Sequence, residues 1–174
     1  MHCRRELLPL LRFQRNRMDV FHLFEKPLAT GTPAPDFELP DEQGQRHRLA
    51  ALRGTAVLLV FYPGDDTFGC RRQLCEIRDS WGALQAADVQ VFGVNPQSAE
   101  SHQSFRQKYH FPFPILVDTN QQVARLYRAA GWIVKRTVVL VGPDGRILLA
   151  ERGAPSPSRV LKALSAAVTV TPAT

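Results

Sequence analysis

The chain predicts a single α/β domain. Several short, almost wholly apolar runs of strand length alternate with polar segments of helix length, and the last two runs are joined by a tight turn. At 174 residues and 44% hydrophobic, the chain can bury one sizeable core.

The elements follow in order. Pro33, Pro35 and Pro40 hold the segment after Gly31 extended, and Phe37 and Leu39 alternate as in an edge strand. Asp41 to Gly44 reads as a hairpin turn into Arg46–Leu49. Four runs are apolar enough for buried strands: Val57–Tyr62, Val89–Val94, Ile115–Val117 and Thr137–Val141. Between them lie segments of helical length at about 71–87, 98–109 and 121–129, with Asp118 and Gln121 a capping pair for the third. Gly142-Pro-Asp-Gly145 is a tight turn, so Thr137–Val141 should pair antiparallel with Ile147–Ala150. Ser156 and Pro157 then supply an N-cap and a first-turn proline for a last helix over Ser158–Val168. This is the order of a thioredoxin-like fold with an added N-terminal β-hairpin. The expected limits are 29–168 for the domain and 169–174 for a frayed tail.

Charge separates the ends from the body. Five arginines and one acid among residues 1–17 carry +4 of the chain's net +6, which leaves the body without the basic excess of a nucleic-acid-binding surface. Residues 1–28 read as a basic extension outside the fold; a membrane-surface arm or an organelle-targeting sequence is the alternative, and Met18 is a possible natural start. The broken leucine run near the N-terminus falls short of the 7–15 apolar residues of a secretory signal. No run approaches the ~20 apolar residues of a spanning helix. The expected location is cytoplasmic.

Three cysteines do not make a disulfide-stapled scaffold. Cys70 and Cys75 lack the second Cys/His pair that a zinc site needs, so no metal is expected. His102 and His110 read as surface or ordinary packing residues.

The densest chemistry lies where the Val57–Tyr62 strand passes through Pro63-Gly-Asp-Asp-Thr67-Phe-Gly to Cys70. A thiol at a helix N-terminus sits among free backbone N–H groups and the positive end of the helix dipole, which favour thiolate. Cys70, Leu74, Ile77, Trp81 and Leu84 also fall on one stripe of the helix, so Cys70 could instead be a small buried hydrophobe. The polar loop before it points the other way.

Pro63-Gly-Asp-Asp-Thr67-Phe-Gly-Cys70 resembles the Pro-x-x-x-Thr-x-x-Cys signature of the peroxiredoxins. Cys75, five residues on, resembles the bacterioferritin-comigratory-protein, or PrxQ, branch. The similarity covers about residues 31–165, including Pro33-Ala-Pro-Asp-Phe37, Phe113-Pro-Ile-Leu-Val-Asp118 and the segment from Arg136 to Gly145.

The resemblance implies a thiol peroxidase for hydrogen peroxide and organic hydroperoxides, recycled by thioredoxin or a similar dithiol. It implies no metal or organic cofactor, and relatives in the branch are often monomeric. Cys70 would be the peroxidatic cysteine and Cys75 its resolving partner. Thr67 would hydrogen-bond peroxide and thiolate, Pro63 would shield the site, and Arg136 would hold the thiolate and polarise the peroxide. An edge-strand surface arginine is the alternative for Arg136. Residues five apart on a helix lie roughly 8–9 Å apart at Cα, whereas a disulfide needs about 4.4–6.8 Å. The first turns must therefore unwind in each cycle.

The chain departs from the branch at three places. Phe68 replaces a proline, Arg71 a threonine, and Gln73 a glutamate that could orient the arginine. Two other classes stay in view. A thiol–disulfide oxidoreductase of the same fold lacks its usual Cys-x-x-Cys here. A peroxide sensor would pass its oxidation to another protein.

Overall fold

The computed structural model describes residues 25–170. Cys3 and Met18, and most of the basic extension, lie outside them. The chain begins with a hairpin of β1 (Glu38–Pro40) and β2 (Arg46–Arg48). The main elements follow as β3 (Ala56–Phe61), α1 (Phe68–Asp79), α2 (Trp81–Ala86), β4 (Val89–Asn95) and α3 (Ala99–Tyr109). After these come β5 (Ile115–Val117), α4 (Gln122–Leu126), β6 (Thr137–Val141), β7 (Ile147–Arg152) and α5 (Pro157–Val170).

The five-stranded sheet has the order β5-β4-β3-β6-β7. β3, β4 and β5 run parallel, and β6 and β7 are antiparallel to their neighbours. This is the thioredoxin-like arrangement with an N-terminal hairpin, built as one domain. Both predicted turns form. Gly44 and Gly145 take left-handed φ of +84° and +76°, which glycine adopts without a Cβ clash.

The central strand is covered on both faces because its residues alternate. Leu58 and Val60 point to the side packed by α1, α3 and α5, with Leu74, Ile77, Phe105, Phe113, Val160 and Leu164. Val57, Leu59 and Phe61 point to the other side, where Phe37 and Leu39 of the hairpin segment meet Val123 and Tyr127. A fully buried Leu or Phe side chain contributes about 1.5–3 kcal/mol, so the two layers fix β3 and the loop that leaves its C-terminal end.

Three elements differ from the sequence expectation. The segment at 71–87 forms two helices, broken at Ser80 (φ −97°, ψ 10°), and α1 starts three residues early, at Phe68. The apolar stripe survives the break, because Trp81 still packs on Phe113 with ring centroids 6.0 Å apart. The segment at 121–129 yields only the short α4. Asn120, Gln121 and Arg128 have φ of 61°, 55° and 57° and delimit it. The Asp118 carboxylate accepts from the backbone N–H groups of Val123 and Ala124, at 2.9 and 2.8 Å. The Gln121 side chain turns to Gly131, and only its backbone N–H reaches the Asp118 carbonyl, so the reciprocal side-chain capping pair is not formed.

The ends also differ in detail. The backbone of α5 continues to Val170, two residues into the expected tail. Glu25 to Leu28, expected in the extension, lie against the body. Arg152 donates to the Glu25 carbonyl at 2.9 Å, Glu25 pairs with Arg128 at 3.4 Å, and Leu28 packs on the core.

Candidate active site

The site forms where β3 ends and α1 begins. Parallel pairing of β3 with β4 forces the chain to leave the sheet at Tyr62, and residues 63–67 carry it to α1. The first helical bond runs from the Arg71 N–H to the Thr67 carbonyl at 2.9 Å. The amides just before Arg71 therefore have no intrahelical acceptor. Cys70 lies in this turn, wholly buried and unpaired with any other cysteine.

Arg136 reaches Cys70 from the start of β6. Its Nη2 lies 3.3 Å from Cys70 Sγ. Nη1 donates to the Gly69 carbonyl at 3.0 Å and to Gln73 Oε1 at 2.6 Å. One guanidinium thus spans the sulfur and two groups of α1. A side chain on Gly69 would crowd it, because a Cβ there would fall 3.0 Å from Nη2. Arg136 is held from behind: its carbonyl accepts from Gly153 at 3.0 Å, and the Thr137 hydroxyl bonds the Lys135 carbonyl at 2.7 Å. Arg152 donates to the same hydroxyl at 2.5 Å and to the Arg128 carbonyl at 2.7 Å. The surface-arginine alternative does not describe this geometry.

Thr67 occupies the N-cap position of α1, with φ −72° and ψ 145°. Its hydroxyl donates to the Gly64 carbonyl at 3.2 Å and so closes the loop on itself. Pro63 is half-buried at the start of that loop. Cys75 is half-buried against the core on the same continuous helix as Cys70, and it too is free. Arg71 leans over the rings of Phe68 and Tyr109, with centroids 5.5 and 6.0 Å from its guanidinium carbon. Phe68, at the position where the resemblance expects a proline, stands 72% exposed, so the rim of the site is aromatic and open.

A second set of residues, unread in the sequence, anchors the loop to α3. The Asp65 carboxylate accepts from the Tyr62 hydroxyl at 2.7 Å and the Ser101 hydroxyl at 2.6 Å, and meets His102 Nδ1 at 2.7 Å. The Asp65 N–H donates to Gln97 Oε1 at 2.6 Å. His102 is therefore a buried, paired residue, while His110 ends α3 on the surface with φ +53°. Burial pushes the Asp65 carboxyl up, but hydrogen bonds from His102 and Ser101 outweigh it and leave it below its ordinary value. Burial, with the Asp65 charge adding to it, holds the Tyr62 phenol well above its ordinary value. Asp66 bonds Lys108 and Tyr109, each at 2.5 Å, and these bonds lower its carboxyl. The local signal for this anchor was the Asp65-Asp66 pair in a short polar loop, but its partners lie some forty residues away and no periodicity links them.

Among the described residues, no group of three or more His, Cys, Asp or Glu side chains could hold a metal ion. No helix among them is long and apolar enough to cross a membrane.

A thioredoxin-like sheet with a buried, arginine-bound cysteine in the first turn of its first long helix defines a class, and comparison with known proteins agrees with it. The AhpC/TSA family model matches residues 30–150. Peroxiredoxin bcp of Coxiella burnetii is 43% identical over 58% of this chain and 66% of its own length. The chloroplastic peroxiredoxin Q of Oryza sativa subsp. japonica is 37% identical over 56% of this chain and 45% of its own. The chain thus spans between about half and two thirds of the length of these curated relatives. The crystal structure of peroxidoxin BcpB from Mycobacterium tuberculosis superposes with a TM-score of 0.73 at 27% identity, covering 83% of this chain and 99% of that one. The chain belongs to the AhpC/TSA family, in the Bcp and peroxiredoxin Q branch of the peroxiredoxins.

Proposed function

We propose that the protein is a thiol-dependent peroxidase that acts on hydrogen peroxide and organic hydroperoxides through Cys70. The observation that carries this reading is the 3.3 Å approach of Arg136 Nη2 to Cys70 Sγ in the first turn of α1. A guanidinium and a helix N-terminus beside a sulfur stabilise the charge that develops as it attacks.

In the proposed cycle the Cys70 thiolate attacks one peroxide oxygen. An S–O bond forms, the O–O bond breaks, and sulfur is oxidised by two electrons to sulfenic acid while the second oxygen leaves and takes a proton. Arg136 stabilises charge on both the sulfur and the departing oxygen. Thr67 holds the incoming peroxide, and Pro63 keeps bulk water from the sulfur. The Cys75 thiol then displaces water from the sulfenic acid and forms a Cys70–Cys75 disulfide. Thiol–disulfide exchange with thioredoxin or a similar dithiol restores both thiols. No metal or organic cofactor takes part. The protein works as a monomer in the cytoplasm.

The membership of its relatives in the peroxiredoxins supports this reading. Peroxide consumption in the presence of a dithiol reductant tests it directly. Cys70→Ser should abolish turnover with the fold intact, and substantial residual activity in that variant would refute the assignment. Reduction of insulin disulfides without peroxide consumption would favour an oxidoreductase instead.

A further inference from the structure

Gln73 has one half of its amide committed and the other half orphaned. Oε1 accepts from Arg136 Nη1 at 2.6 Å, which fixes the sense of the amide because arginine can only donate. Nε2 then has no hydrogen-bond partner, although Gln73 is only 3% exposed. Leaving a buried donor unpaired is destabilising, so such a group calls for an acceptor that arrives during function.

The position of the orphan says which acceptor that is. Cys70 and Gln73 are three residues apart on α1 and share a face. Arg136 bridges them, with Nη2 on Cys70 Sγ and Nη1 on Gln73 Oε1. The unpaired N–H₂ thus lies on the same buried face of α1 as the sulfur, and the Arg136 guanidinium that joins the two can only donate. A peroxide brings two oxygen acceptors to that face.

Resting on the peroxidase reading, we propose that Gln73 is a further catalytic residue, whose Nε2 donates a hydrogen bond to the oxygen that Cys70 takes from the peroxide. As the S–O bond forms and the O–O bond breaks, negative charge passes through the transferred oxygen, and a donor already in place stabilises it without reorganisation. Oε1 keeps orienting Arg136 throughout. A glutamate here would keep that orienting acceptor and lose the donor, so the two roles separate in one substitution.

The test is stopped-flow oxidation by hydrogen peroxide in a Cys75→Ser background, where only the first step is seen. Cys70 is followed through its ultraviolet thiolate absorbance, and rates are compared on the pH plateau where the thiolate is saturated, so that an added charge does not disguise a change in ionisation. Gln73→Glu, which keeps the Arg136 partner, and Gln73→Met, which removes both groups, should each be slower by about 10- to 100-fold. Both should remain folded by circular dichroism at the temperature of the assay. A Gln73→Glu rate equal to the Cys75→Ser parent would overturn the proposal, since orientation of Arg136 would then be the whole role of Gln73. If Gln73→Met fails to fold, Gln73→Glu decides alone. Absence of any peroxide-driven loss of thiolate in the parent would overturn the peroxidase reading itself, and this inference with it.

Discussion

At the scale of single residues, the site depends on one cation. Arg136 touches Cys70 Sγ, the backbone of Gly69 and the side chain of Gln73, so in the proposed reaction its removal should weaken the stabilisation of charge on the sulfur and on the leaving oxygen together. We expect Arg136→Met to react with peroxide at least about 100-fold more slowly. Arg136→Lys should recover only part of the rate, because a single ammonium cannot span three acceptors as the planar fork does. Stopped-flow kinetics measure the effect, and a wild-type rate in Arg136→Met would remove the arginine from the mechanism.

Asp65 gives a prediction of a different kind. Its carboxyl titrates below the usual value in the fold, so the stability it contributes is complete above about pH 4 and is lost as pH falls through the lower folded value. Asp65→Asn should cost about 1–3 kcal/mol at neutral pH and should flatten the loss of stability toward acid. Chemical denaturation of both proteins across that range checks the sign. A parallel pH dependence in the two would mean that the Tyr62, Ser101 and His102 contacts do not favour the ionised carboxylate.

At the scale of elements, the proposed Cys70–Cys75 disulfide requires α1 to change. Cys70 and Cys75 sit on one continuous helix, too far apart for a disulfide by helical geometry. Oxidation should therefore unwind residues 69–77 and partly expose Leu74 and Ile77, which are buried in the reduced form. The clasp of Asp66, Lys108 and Tyr109, with Arg71 over the Tyr109 ring, ties this turn to α3 and should loosen in the same step. Hydrogen exchange on the reduced and oxidised proteins should show lost protection over residues 70–77 and unchanged protection in β3 and β6. Equal protection of α1 in both forms would mean that the disulfide forms without unwinding.

The same elements show what was legible in the sequence. β5 and β6 fall where their apolar runs lie, and the stripe from Cys70 to Leu84 packs as its spacing predicts, because burial on both faces of a sheet writes itself as local pattern. The break at Ser80 and the brevity of α4 were not legible. They follow from local dihedrals and from the Asp118 and Gln121 side chains binding the backbone at Val123, Ala124 and Gly131 in place of each other. The Asp65–His102 anchor and the Arg152 clasp behind Arg136 were hidden for the same reason. Each joins residues remote in the chain through polar contacts that carry no periodicity.

At the scale of the whole molecule, one five-stranded sheet covered on both faces holds Arg136 while the helix opposite it carries the sulfur. In the proposed cycle α1 rearranges as the arginine stays at the head of β6. The proposed disulfide closes within one chain, so sedimentation of the oxidised protein should show no disulfide-linked dimer. The most direct test of the cycle is mass analysis with peptide mapping after one equivalent of hydrogen peroxide, with and without a thiol trap. We expect loss of two hydrogens and a single Cys70–Cys75 link within one chain, and a trappable sulfenic acid at Cys70 when Cys75 is serine. An unmodified Cys70, or a Cys3–Cys70 link as the main product, would contradict the cycle.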